Sequence, residues 1–184
     1  MADATERPDS KWRYTGAAVA IHWLLALALI GEIAFGFMVD SLAQRGTPAR
    51  SMVVNLHKST GLVLGVLVAA RLLWRLRHAP PPWPESMTPG QRRAAHWIHL
   101  GLYACMLAIP LSGYVASNFS RFGIVFFGHL LPPWGPAQPQ VYAFIHGIHV
   151  VTGYVFCVLI AVHVLAALKH ALIDRDHVFQ RMWI

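Results

Sequence analysis

Charged residues are scarce in this chain, at 12% where a soluble domain carries about 25%. Acidic residues are scarcer still, with 8 Asp and Glu against 15 Lys and Arg and a formal net charge of +7. The basic excess invites a nucleic-acid reading. Its cations, however, gather at the ends of apolar runs, as the positive-inside rule for membrane proteins requires, and not along one polar face. Cysteine is limited to Cys105 and Cys157, both inside apolar runs, which excludes a disulfide framework. The absence of CxxCH argues against covalent c-type haem attachment. No small-residue cleavage site follows the first apolar run, so that run is expected to be a retained span and not a signal peptide.

What the chain does have is hydrophobic length. Apolar residues make up 56% of it, in four stretches at approximately 17–39, 52–76, 96–117 and 141–170, each long enough to cross a bilayer as a helix. The expected fold is all-α, an integral membrane four-helix bundle forming a single domain over residues 1–184. Lys11, Trp12, Arg13 and Tyr14 precede the first span as an interfacial anchor. The most basic connection, with Arg71, Arg75, Arg77, Arg92 and Arg93, is placed in the cytoplasm, which puts both termini there too. Residues 118–140, rich in aromatics and proline, read as an extracytoplasmic loop at the interface, and Pro110 is expected to kink the third span.

Histidine is the polar residue that recurs inside the spans, and an imidazole in hydrocarbon is costly unless something binds it. His149 and His163 stand fourteen residues apart. That spacing returns them to nearly the same helix face, separated by about 21 Å along the axis. One ligand near each membrane surface suits two haems stacked across the bilayer and suits a single metal ion poorly. Depth then restricts the partners: His22 lies near the cytoplasmic start of span one and matches His163, while His57 lies near the outer start of span two and matches His149. His146 is the competing outer ligand, and the fourteen-residue spacing favours His149. Four positions after each chosen histidine, on the same face, stand Ala26, Gly61, Gly153 and Ala167, small enough to leave a flat surface for a porphyrin. Helix packing through Gly61 and Gly65 is the other reading of the same residues. Arg71 and Arg75 return to the ligand face where they could pair with propionates of the inner haem, and Lys58 could serve the outer one. His78, His129 and His177 fall in connections or the tail and read as solvated.

The segments IHW in span one, LHKSTGLVLGVLVAARLLWRL in span two and HLGLYACMLAIPLSGY in span three resemble the bacterial di-haem cytochrome b561 family. The loop FGIVFFGHLLP and the span-four histidine pair extend the resemblance over nearly the whole chain. It implies a multi-pass protein of the bacterial inner membrane with two b-type haems, ligated by His22, His57, His149 and His163, that exchanges electrons with membrane quinone. Some members carry a glutamate where this chain has Val150. Similar proteins are superoxide oxidases, and others are cytochrome subunits of hydrogenases.

The expected function is therefore a superoxide:ubiquinone oxidoreductase, with Lys58 and Arg121 as candidates for steering the superoxide anion, beside Arg45 and Arg50. Candidate quinone-site residues are His96, His99, Trp12 and His170, and Glu32 is a candidate proton relay or a paired buried carboxylate. The alternative is a haem-bearing relay or anchor subunit with a soluble redox partner. A metal-ion transporter is the remote alternative, opposed by the near absence of intramembrane carboxylates and by the wide separation of the two pairs.

Overall fold

The computed structural model describes residues 12–183, so the anchor residue Lys11 lies outside the described residues. Four long helices dominate it: α1 (Gly16–Leu42), α2 (Pro48–Arg77), α3 (Pro89–Asn118) and α4 (Pro139–Lys169). Each is long and apolar enough to cross a membrane. Their starts precede the apolar stretches, because a cap begins a helix independently of hydropathy. Thr47 and Thr88 each accept a hydrogen bond from the third residue beyond them, and a proline follows each as the first helical residue. At Thr88 the cap is reciprocal, since the Gln91 side chain accepts from the Thr88 amide at 2.8 Å.

Pro110 does not divide α3, which continues as one element to Asn118. Its ring is accommodated by Gly65 of α2, where a Cβ would stand 3.0 Å from the Pro110 Cβ. Gly65 therefore serves close helix packing.

The 118–140 connection is more ordered than an interfacial loop need be. Strands β1 (Ile124–Phe126) and β2 (His129–Leu131) pair antiparallel, with Ile124 opposite Leu131 and Phe126 opposite His129. Phe127 and Gly128 make the turn with φ of 43° and 93°, the left-handed pair that matches strand twist. Three side chains of α2 strap this hairpin down. The Val125 amide donates to Asn55 Oδ1 at 3.1 Å, the Phe127 amide to Ser59 Oγ at 3.1 Å, and Lys58 Nζ to the Gly123 carbonyl at 2.7 Å.

At the opposite end the tail is laced to the bundle. After α4 the chain makes a π turn over His170–Asp174 and a 3-10 turn over Phe179–Met182. Arg181 is buried there and donates to the carbonyls of Trp12 and Pro82, each at 2.8 Å. Trp23 of α1 donates to the Met182 carbonyl at 2.7 Å. Both described chain ends and the α2–α3 connection thus share one end of the bundle, the termini end, and the strands define the hairpin end.

The helices are unevenly packed. α3 and α4 form the closest pair, around Leu102, Cys105 and Phe156, and Leu29 and Ile33 of α1 reach the same cluster. α1 packs on α2 and α2 on α3, whereas α4 stands apart from α1 and α2 along their backbones. Large apolar residues such as Leu24, Val66 and Leu165 point outward. That is the expected surface for helices whose solvent is lipid, since every backbone group of a helix is satisfied within it.

Candidate haem-binding site

Across the separation between α4 and the α1/α2 pair, four histidines face one another in two sets. At the termini end the His22 and His163 rings have centroids 6.4 Å apart. At the hairpin end His57 and His149 are 6.2 Å apart. Two imidazoles on opposite sides of one metal, each with a nitrogen about 2 Å from it, place their ring centroids about 6.3 Å apart. Both pairs match that spacing. Each joins α4 to a different helix at matching depth, as the sequence spacing requires. His146 stacks on His149 at 6.2 Å, is exposed, and faces no ring across the bundle.

A ligating imidazole carries its proton on the other nitrogen and gives it to an acceptor that fixes the ring. At the hairpin end both histidines have a candidate acceptor beside Nδ1. His149 Nδ1 lies 2.9 Å from the Ile109 carbonyl. His57 Nδ1 lies 2.8 Å from Glu32 Oε1, too obliquely for a hydrogen bond, and neither buried atom has a hydrogen-bond partner among the described residues. Glu32 is held from its other oxygen, which accepts from Thr60 Oγ1 at 2.7 Å.

Both acceptors are followed four residues later, on the same helix face, by a glycine that admits the ring. A Cβ on Gly36 would stand 3.0 Å from His57 Cε1, and one on Gly113 would stand 3.1 Å from His149 Cε1. Gly36 and Gly113 escaped the sequence reading, whose small-residue pattern was sought beside each histidine on its own helix and not on the helix facing it. Gly61 borders Glu32, with a Cβ 3.4 Å from Oε1, and Gly153 has open space around it, as a flat cofactor surface requires.

The termini-end pair has different surroundings. Arg71 Nη2 lies 3.1 Å from His22 Nδ1. A guanidinium only donates, so this contact uses Nδ1 as an acceptor; a ring ligating through Nε2 carries its proton on Nδ1 and cannot accept there. Iron ligation by His22 Nε2 therefore turns Arg71 away, to where a propionate is a fitting partner. His99, a quinone candidate by sequence, is packed against His163 at 5.3 Å between centroids. Trp23 lies 5.6 Å from His22 and 6.1 Å from Trp183. Arg75 stands over the Tyr103 ring at 5.7 Å.

The remaining sequence candidates are dispersed. His96 is exposed beside Trp97. His170 is buried, with Nδ1 2.7 Å from Asp176 Oδ2 and 3.4 Å from Asp174 Oδ2, and Lys169 pairs with the same Asp174, so this cluster closes the end of α4. Trp12 lies under the Arg13 guanidinium. At the hairpin end Arg45 and Arg50 both pair with Asp40, at 3.3 and 2.6 Å, and Lys58 is engaged by the Gly123 carbonyl. Arg121 is exposed.

Comparison with known proteins shows the family. A family model described as prokaryotic cytochrome b561 matches residues 13–184. Cytochrome b561 homolog 2 of Escherichia coli is 35% identical over 172 residues, covering 92% of this chain and 90% of the relative. A probable superoxide oxidase CybB of Yersinia pestis is 28% identical over 176 residues, covering 92% and 95%. Cytochrome b562 of Cereibacter sphaeroides is 28% identical over 173 residues, covering 92% and 94%. With four membrane-spanning helices and histidine pairs at ligand spacing, the chain belongs to the prokaryotic cytochrome b561 family of b-type haem, electron-transferring membrane proteins.

Proposed function

We propose that this protein binds two b-type haems, one between His22 and His163 and one between His57 and His149, and carries electrons from superoxide at the hairpin end to membrane quinone at the termini end. Two histidine pairs at ligand spacing, one at each end of the bundle, support this function above all. A bis-histidine haem has no open position and so supplies one-electron transfer without oxygen binding. The balance is two superoxide anions, one quinone and two protons giving two dioxygen molecules and one quinol. The relative named as a probable superoxide oxidase favours this donor. The basic termini end is assigned to the cytoplasm and the protein to the bacterial inner membrane.

The chain's own residues divide the work. Among the described residues Arg121 is the hairpin-end cation with no ion-pair or hydrogen-bond partner, and it is the first candidate to attract a small anion there, since Arg45 and Arg50 share Asp40 and Lys58 holds the Gly123 carbonyl. At the termini end a cleft lined by Arg13, Tyr14, Gly16, Val19, Ala20 and Trp183 is where quinone binds. It offers an apolar wall and two hydrogen-bonding side chains, and Trp23 bridges from Trp183 to His22.

Superoxide added to purified protein in lipid, with ubiquinone present, should reduce the haems rapidly and form one quinol per two superoxide consumed. Trp183→Ala should slow quinol formation while leaving haem reduction intact. Arg121→Glu should slow haem reduction and weaken its salt dependence. Lack of haem reduction by superoxide, with a soluble dehydrogenase co-purifying, would establish the relay-subunit role instead.

A further inference from the structure

Glu32 is a partly buried carboxylate ten residues from His22 along α1, and it borders neither that pair nor the proposed quinone cleft. Thr60 Oγ1 donates to one of its oxygens at 2.7 Å, and His57 Nδ1 stands 2.8 Å from the other, obliquely and without a hydrogen bond. Gly36 and Gly61 make room for this meeting, one admitting the His57 ring and the other bordering Glu32 Oε1. A small rotation of the ring would let Nδ1–H donate to this carboxylate, which would leave Nε2 free for iron and make the ring a stronger electron donor. At the termini end the neighbouring charge is of opposite sign: Arg71 contacts His22 here and, with iron on Nε2, would stand against a propionate of the same haem.

We infer that Glu32 is a positioning residue for His57 which, opposed by Arg71 at the other pair, holds the hairpin-end haem at the lower potential and so directs electrons from the hairpin end to the termini end. A strongly donating ligand and a nearby anion favour ferric iron, and a nearby cation favours ferrous iron. With haem held at both pairs, these two residues would make electron transfer from the hairpin-end pair to the termini-end pair downhill. Glu32 and Arg71 thus form a built-in gradient made from one intramembrane anion and one intramembrane cation. The inference rests on the two-haem function proposed above.

Potentiometric titration of the full chain in nanodiscs, followed in the visible haem bands with a pyridine haemochrome count on each sample, tests it. Wild type should bind two haems with separate midpoints. Glu32→Gln should raise only the lower midpoint and shift one of the two low-spin electron paramagnetic resonance signals, whereas Arg71→Leu should lower only the higher midpoint. In a His149→Ala background, which removes the hairpin-end haem, Glu32→Gln should leave the remaining midpoint unmoved. If Glu32→Gln instead releases one haem, restoration by Glu32→Asp supports the positioning role, and equal loss in both variants overturns it. Two haems bound with both midpoints unmoved, or a shift in the higher one alone, also overturns it. A wild-type count below two overturns the two-haem function itself, which separates that failure from this one.

Discussion

The two histidine pairs have the same ring spacing and different walls. At the hairpin end each ring is fitted into a neighbouring helix, where an acceptor and a glycine one turn later receive it: Glu32 and Gly36 for His57, Ile109 and Gly113 for His149. At the termini end the rings stand among other rings and a cation, with His99 against His163, Trp23 beside His22 and Arg71 on His22 Nδ1. The first arrangement is tight and anionic, so ligand geometry there is imposed by backbone and carboxylate. The second is cationic and lies next to the cleft lined by Arg13, Tyr14 and Trp183. Equal ligand sets can therefore have unequal chemistry, because the atom behind the ligand, and not the ligand, differs.

The largest effect should come from removing a ligand. His149→Ala should reduce the pyridine haemochrome count from two haems per chain to one, and His163→Ala should do the same at the other pair. Smaller changes probe the walls. Gly36→Ala or Gly113→Ala sets a Cβ about 3 Å from a ligand ring. Overpacking of that kind costs about 1–3 kcal/mol, and it should appear as a lowered melting temperature and partial loss of the hairpin-end haem. Gly31→Ala, on the exposed side of α1 with nothing near the added Cβ, should change neither. If Gly36→Ala and Gly31→Ala behaved alike, the tight fit of the hairpin-end rings would fail.

Smaller again is the strap. Lys58→Met removes one hydrogen bond to the Gly123 carbonyl, worth about 1 kcal/mol in a partly exposed setting. It should speed proteolysis within 124–131 and leave the reduced haem spectrum unchanged. A lost haem in this variant would instead place Lys58 at the cofactor.

Much of this could be read directly from the chain. Span number follows from hydropathy alone, because a helix in hydrocarbon needs about 20 apolar residues whatever its neighbours do. The pairing of His22 with His163 and of His57 with His149 also follows, because rise per residue converts sequence position into depth. The resemblance to the b561 family is matched by the family model over residues 13–184. The earlier helix starts were available in the Thr-Pro pairs at 47–48 and 88–89, signals that hydropathy ignores.

What only the tertiary structure decided is which residue stands behind each ligand. Glu32 was visible as an intramembrane carboxylate open to a relay role or to a buried pairing, and the fold sets it against His57. Gly36, Gly113 and His99 meet their histidines across helix interfaces. The tail, polar and basic by composition, folds back so that Arg181 binds the carbonyls of Trp12 and Pro82. Helical periodicity is a local rule that specifies depth and face within one helix. The rotation of one helix against another is set by non-local packing, here by Gly65 on Pro110 and by the α3–α4 cluster, and no single helix contains that information.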